Sequence, residues 1–140
     1  MNHLVEREAQ TETALNMDVV RRALTRRLER GVAGERGVLD REFYTSDFRR
    51  FGPARHICGA NTDAPMGEVV FDSFSEPEVE IRHMEAIGNR VITHVSFRGR
   101  HTRAFQGHAA TGRQMCADAV LVHRLRDGRI AEEWSIVRWH

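Results

Sequence analysis

No lysine occurs in this chain of 140 residues, so all 21 of its basic side chains are arginine. That excludes a lysine Schiff base, a lysine nucleophile and a phosphate-loop lysine. Arginine stays protonated and makes a poor general base. Acid–base work therefore falls to His, Asp, Glu, Cys58, Cys116 or Tyr44. Cysteine is nearly missing too. Cys58 and Cys116 form no Cys-x-x-Cys, which excludes a disulfide framework and a four-cysteine zinc site. Each reads as a small buried hydrophobe. Excess charge of one sign is absent: the net charge is +1, too little field to hold a nucleic acid. Long apolar runs are absent as well, the longest being Ala119–Val122. No membrane span fits and no signal-peptide core shows near the N-terminus, so a cytoplasmic protein is expected.

What is present is enough for one domain, since 41% of the residues are hydrophobic. Residues 1–15 are polar with weak periodicity and read as a flexible arm or a loose helix. A single domain is expected over 16–140. It opens with NMDVVRRALTRRLERG, a helix capped by Asn16 or Asp18, with Val20, Leu24 and Leu28 every four residues and Gly31 at its end. Its arginines (Arg21, Arg22, Arg26, Arg27, Arg30) read as a solvated face; a polyanion-binding helix is the alternative. VLDREFY can form a second short helix, leading to a turn at Gly52-Pro53. HICGANTDAPMG is loop-like, and GEVVFDSFS reads as a third short helix ending before Pro77.

The second half changes character. Val79–Ile87 alternates like a strand, Gly88-Asn89 is a turn, and VITHVSFRG is β-branched and aromatic. Arg113–Leu125 and Arg129–Trp139 read as two more strands, joined by the tight turn Arg126-Asp127-Gly128. Helices first and then a meander of about four antiparallel strands make an α+β layout. Long strands curling round N-terminal helices form a half-open cone, with a pocket between sheet and helices.

The connection HTRAFQGHAATGR, His101 to Arg113, is longer than a hairpin turn needs. His94, His101 and His108 recur every seven residues within and beside it, but seven is not a ligand spacing and no carboxylate pattern accompanies them. No metal is expected there. The loop reads as a flap whose glycines allow tight bends.

The segments FRGRHTRAFQGHAATGR and VHRLRDGRIAEEW resemble the SnoaL-like polyketide cyclases, which share the nuclear transport factor 2-like fold. The residues that carry the likeness are Phe97, Gly99, His101, Thr102, Phe105, Gly107, Thr111, Gly112 and Arg113, then Arg124, Asp127, Gly128, Arg129, Ile130, Glu132 and Trp134. The resemblance implies a cone-like, mostly antiparallel sheet wrapped round N-terminal helices. It also implies a hydrophobic small-molecule substrate, an intramolecular aldol chemistry that needs no metal and no cofactor, and a homodimer. A carbon flanked by carbonyls is acidic, so a modest base in a dry, well-shaped pocket is enough.

Two positions depart from the family pattern. The family's acid–base Asp stands six residues before the Asp of the Asp-Gly turn, which here is Leu121. Its His-Trp-Asp on the last strand is here Glu133-Trp134-Ser135. Strand alternation offers a substitute: His123 shares the face of Leu121, about 7 Å along the strand, and an imidazole titrates near neutrality. A rim histidine with no chemical role is the competing reading. Asp118 is a second candidate, but alternation points it to the opposite face unless a bulge intervenes. His101 either lines the pocket mouth or orders the loop. Trp134, Phe51 and Phe105 are candidate walls for a flat substrate, against ordinary core packing. Arg98 is a candidate for an acidic ligand group, against a surface ion pair.

The leading expectation is thus a pocket enzyme that cyclises or isomerises a polycyclic ketone. A non-catalytic accessory subunit is the alternative, as is a hydroxylating or epoxide-opening relative; epoxide opening needs a carboxylate–arginine cluster, which Asp63 or Glu68 with Arg98 supply only if the fold brings them together. The apolar outer sheet face (Ile92, Val120, Val122, Ile136) points to a dimer through sheet packing.

Overall fold

Two-residue alternation dominates the second half of the chain, and each strand sorts its side chains accordingly. In the computed structural model, which describes residues 3–30, 41–51, 74–103 and 109–140, these segments form one five-stranded sheet packed on one helix. Helix α1 is His3–Arg30; the strands are β1 (Tyr44–Phe51), β2 (Phe74–Ile87), β3 (Arg90–His101), β4 (Gln114–Arg126) and β5 (Arg129–Trp139). Their order is β1-β5-β4-β3-β2. Strands β2 to β5 form the antiparallel meander expected from the sequence, and the α+β class holds.

The tight turn between β4 and β5 places both Asp127 and Gly128 at positive φ, 52° and 78°. That handedness matches the twist of the flanking strands. Gly88 does the same for the β2–β3 turn, with φ 60°.

Three expectations are corrected. Tyr44 to Phe51, expected as a helix end running into a turn, is strand β1, parallel to β5. Its apolar residues Tyr44, Phe48 and Phe51 fall at helical spacing, yet the open edge of β5 supplies hydrogen-bond partners that local periodicity cannot reveal. Phe74 and Ser75, expected in a third helix, open strand β2, which passes through Pro77 with a register shift between Ser75 and Glu78. Proline is tolerated there because β2 is an edge strand among the described residues. Asn16, expected as a helix cap, lies buried inside α1, whose start is His3. The expected turn at Gly52-Pro53 and the loop HICGANTDAPMG lie outside the described residues, as does the 67–73 portion of the third helix.

Helix α1 buries Val20 and Ala23 against Phe43, Tyr44, Val91, Leu125 and Ile130. Further along the same face of the sheet, Val95, Ala119 and Leu121 form a second cluster, and Phe74, Phe97 and Ala117 a third. The inner face is thus an apolar floor, and polar residues on it stand out. Among the described residues no helix is long and apolar enough to cross a membrane.

Candidate active site

Register lines up four residues on the inner face: Val91 of β3, His123 of β4, Glu133 of β5 and Arg50 of β1. The His123 side chain is 1% exposed, that of Glu133 0% and that of Arg50 7%. Arg50 donates from Nε and Nη2 to Glu133 Oε2, at 3.1 and 3.0 Å. Its guanidinium also lies over the Phe48 ring, 5.1 Å from the centroid. Glu133 Oε1 faces His123 Nε2 at 3.6 Å. That is too long for a hydrogen bond, but close enough for charge attraction whenever the imidazole carries a proton. Among the described residues, neither ring nitrogen of His123 has a hydrogen-bond partner.

This arrangement has a definite chemical capacity. A neutral imidazole with an open nitrogen can accept a proton. The resulting imidazolium would stand beside a carboxylate already held in place by arginine. Burial makes an unpaired charge costly, and the Glu133 carboxylate is the group that would pair with it, 3.6 Å from Nε2.

The next row carries Thr93, Leu121 and Ser135 side by side on β3, β4 and β5. All three are buried, and neither the Thr93 nor the Ser135 hydroxyl has a hydrogen-bond partner among the described residues. Leu121 forms part of the apolar floor between them.

The other candidates go elsewhere. His101 is buried on the inner face, but ten residues beyond Val91, about 33 Å along an extended strand. Its Nδ1 lies 3.2 Å from Thr111 Oγ1 and accepts from the Thr111 backbone N–H at 3.4 Å. The backbone N–H of His101 donates to Arg113, and that of Gly112 donates back to His101, both at 2.8 Å. His101 therefore ties together the base of the long loop. Phe105 and His108 lie outside the described residues, as do Asp63 and Glu68.

Asp118 faces the opposite side of the sheet, as alternation predicts. It accepts hydrogen bonds from Ser96 Oγ at 3.1 Å and pairs with His140 Nε2 at 2.7 Å. The contact with His140, then that with Ser96, holds its carboxyl below the usual carboxylate range. Arg98 is on that side too, paired with Glu78 at 2.9 Å. Phe51 and Trp134 come together as a stacked pair, with centroids 5.1 Å apart, but again on the outer face. As walls they line the side of the sheet away from His123. His94 is also outward, 3.7 Å from Asp118, while His101 is inward, so strand parity splits the seven-residue histidine series. Among the described residues no group of three His, Cys, Asp or Glu could hold a metal.

Sequence reasoning missed Glu133, Arg50 and Thr93. A hairpin counted straight from the Asp127-Gly128 turn sets His123 opposite Glu132. A bulge between Arg124 and Leu125 moves the pairing by one, to Glu133. The signal for Thr93 was legible: it shares strand parity with Val91 and Val95, both core residues. Arg50 left no local signal, because its partner Glu133 is 83 residues away in sequence.

The family profile of the SnoaL-like polyketide cyclases matches residues 41–137, and the chain belongs to that family. No functionally curated protein matches the sequence. Among solved structures, a SnoaL-like candidate polyketide cyclase from Jannaschia sp. CCS1 superposes with a TM-score of 0.70 at 20% identity, over 89% of this chain and 86% of that one. IdmH, a candidate polyketide cyclase from Streptomyces antibioticus, gives 0.53 at 25% identity, over 69% and 76%. AclR, a candidate hydroxylase from Streptomyces galilaeus, gives 0.57 at 20% identity, over 69% of this chain and 64% of that one. The chain thus spans under two thirds of the length of AclR. The architecture is the nuclear transport factor 2-like α+β cone, here with an open sheet among the described residues.

Proposed function

We propose that this protein is an enzyme of natural-product biosynthesis that cyclises or isomerises a polyketide-like polycyclic ketone, without metal or cofactor. One observation carries the reading: a buried imidazole, His123, with no hydrogen-bond partner among the described residues and a preset Arg50–Glu133 pair beside it. His123 takes a proton from a carbon flanked by carbonyls. The electron pair left on that carbon forms the new C–C bond to a second carbonyl, and the alkoxide recovers the proton from the imidazolium. A modest base suits such an acidic carbon. His123 thereby stands in for the carboxylate that relatives place at the position of Leu121.

The second reading, a non-catalytic ligand-binding subunit, draws on one specific observation. Leu121 is buried in an apolar cluster and offers no acid–base group where the family has one. Thermal stabilisation against polycyclic aromatic ketones, with linear acids and nucleotides as controls, separates pocket from no pocket. A ligand at a hundredfold its dissociation constant adds about 2.7 kcal/mol. Turnover by the wild type and its loss in His123→Ala support the enzyme; binding without turnover supports the accessory role.

The reading extends to a cytoplasmic homodimer joined through the outer sheet face. In support, Ile136 is 69% exposed and Val120 is exposed beside it, with Ile92 and Val122 half-buried on the same face.

A further inference from the structure

A buried hydroxyl without a partner is costly, because it loses its bonds to water and gains none in return. Few native groups stay in that state, and those that do call for a specific explanation. Here two hydroxyls with no partner among the described residues, Thr93 Oγ1 and Ser135 Oγ, occupy one row of the sheet, immediately beside the row that carries His123. Both residues are almost wholly buried, at 0% and 2% exposure.

Their placement relative to His123 is fixed by register. His123 faces Val91 on one side and Glu133 on the other. Thr93 and Ser135 are two residues further along those same neighbours, so both are its diagonal neighbours, roughly 7–8 Å away across adjacent strands. The three polar side chains therefore mark a triangle, with Leu121 midway along its Thr93–Ser135 edge. A carbon in contact with the imidazole, bearing a carbonyl that accepts a hydrogen bond of about 2.8 Å, spans that same order of distance.

We infer that the Thr93 and Ser135 hydroxyls are the oxygen-binding donors of the site, holding the two carbonyl oxygens of a 1,3-dicarbonyl unit whose central carbon faces His123. This rests on the reading of His123 as the base. When the proton moves to His123, negative charge develops on those oxygens, where preset donors act most strongly. Neither hydroxyl exchanges a proton; each only donates a hydrogen bond.

The test uses the full chain, Thr93→Val and Ser135→Ala, and three probes of similar size: 2-acetyl-1-tetralone, 1-tetralone and tetralin. The wild type should bind them in that order of affinity, measured by titration calorimetry. Each substitution should weaken the diketone by roughly tenfold and leave tetralin unchanged. Ligand-free Thr93→Val should melt a few degrees higher than the wild type, since the near-isosteric valine removes an unsatisfied buried group. A diketone-to-tetralin preference that survives both substitutions would overturn the inference while leaving His123 as base untouched. A lower melting temperature in both variants, with the preference intact, would assign the hydroxyls to structure. If the wild type binds none of the probes, the pocket reading fails, and this inference fails with it.

Discussion

Arg50 and Glu133 are direct neighbours on the parallel strands β1 and β5, and the guanidinium spends two of its donors on a single carboxylate oxygen. The other oxygen is turned toward His123. One arginine thus fixes the orientation of a carboxylate with almost no solvent contact, and the carboxylate in turn presents charge to the candidate base.

Breaking that pair on one side leaves a buried charge without compensation. Arg50→Met should cost about 3–5 kcal/mol of stability, read as a lower urea midpoint with unchanged slope. Adding Glu133→Leu should recover most of the loss, because the stranded carboxylate is then gone. Losses that simply add in the double variant would mean the two side chains are not coupled.

The two acid–base candidates on β4 lie on opposite faces. His123→Ala should reduce ketone turnover by roughly 10²–10⁴-fold, the usual contribution of a general base. Asp118→Asn, on the outer face with Ser96 and His140, should keep wild-type turnover. The reverse pattern would place the chemistry on the outer face.

Gly99 sits where a side chain has no room. A Cβ there would come within 2.9 Å of Phe97 Cζ and 3.0 Å of Phe74 Cβ. Both rings belong to one aromatic cluster with Trp139. Gly99→Ala should destabilise by about 1–3 kcal/mol through overpacking, as measured by chemical denaturation.

Arg126 donates two hydrogen bonds to Asp47, at 2.6 and 3.2 Å, and these chiefly lower its pKa from 3.8 to about 2. A carboxylate depressed in the folded state adds stability that is fully present above the unfolded pKa. That stability is lost as pH falls through the folded value. The window here is therefore pH 4 down to 2. An NMR titration of Asp47 should show a midpoint near 2 in the wild type and a clearly higher one in Arg126→Ala.

If the outer face joins two copies, Ile136→Glu should give a monomer in sedimentation velocity at concentrations where the wild type is a dimer. A charge introduced into a buried apolar contact costs far more than one left in water. A wild type that sediments as a monomer would refute the dimer directly.

Alternation alone settles much of this protein. The strand periods from Val79 to Trp139 are legible, and with them the sides taken by His123, Leu121 and Asp118, because side-chain parity is a local property of an extended chain. The two turns carry their own glycine chemistry. The resemblance adds the family and a curved sheet against N-terminal helices, of which α1 is the one among the described residues. What tertiary structure alone decides is non-local. Strand β1 exists because β5 offers an open edge, and no periodicity within Tyr44–Phe51 announces it. One bulge, between Arg124 and Leu125, turns Glu133 rather than Glu132 toward His123. The candidate base was therefore visible in the sequence, whereas its Arg50–Glu133 support depends on hydrogen bonds between residues 83 positions apart.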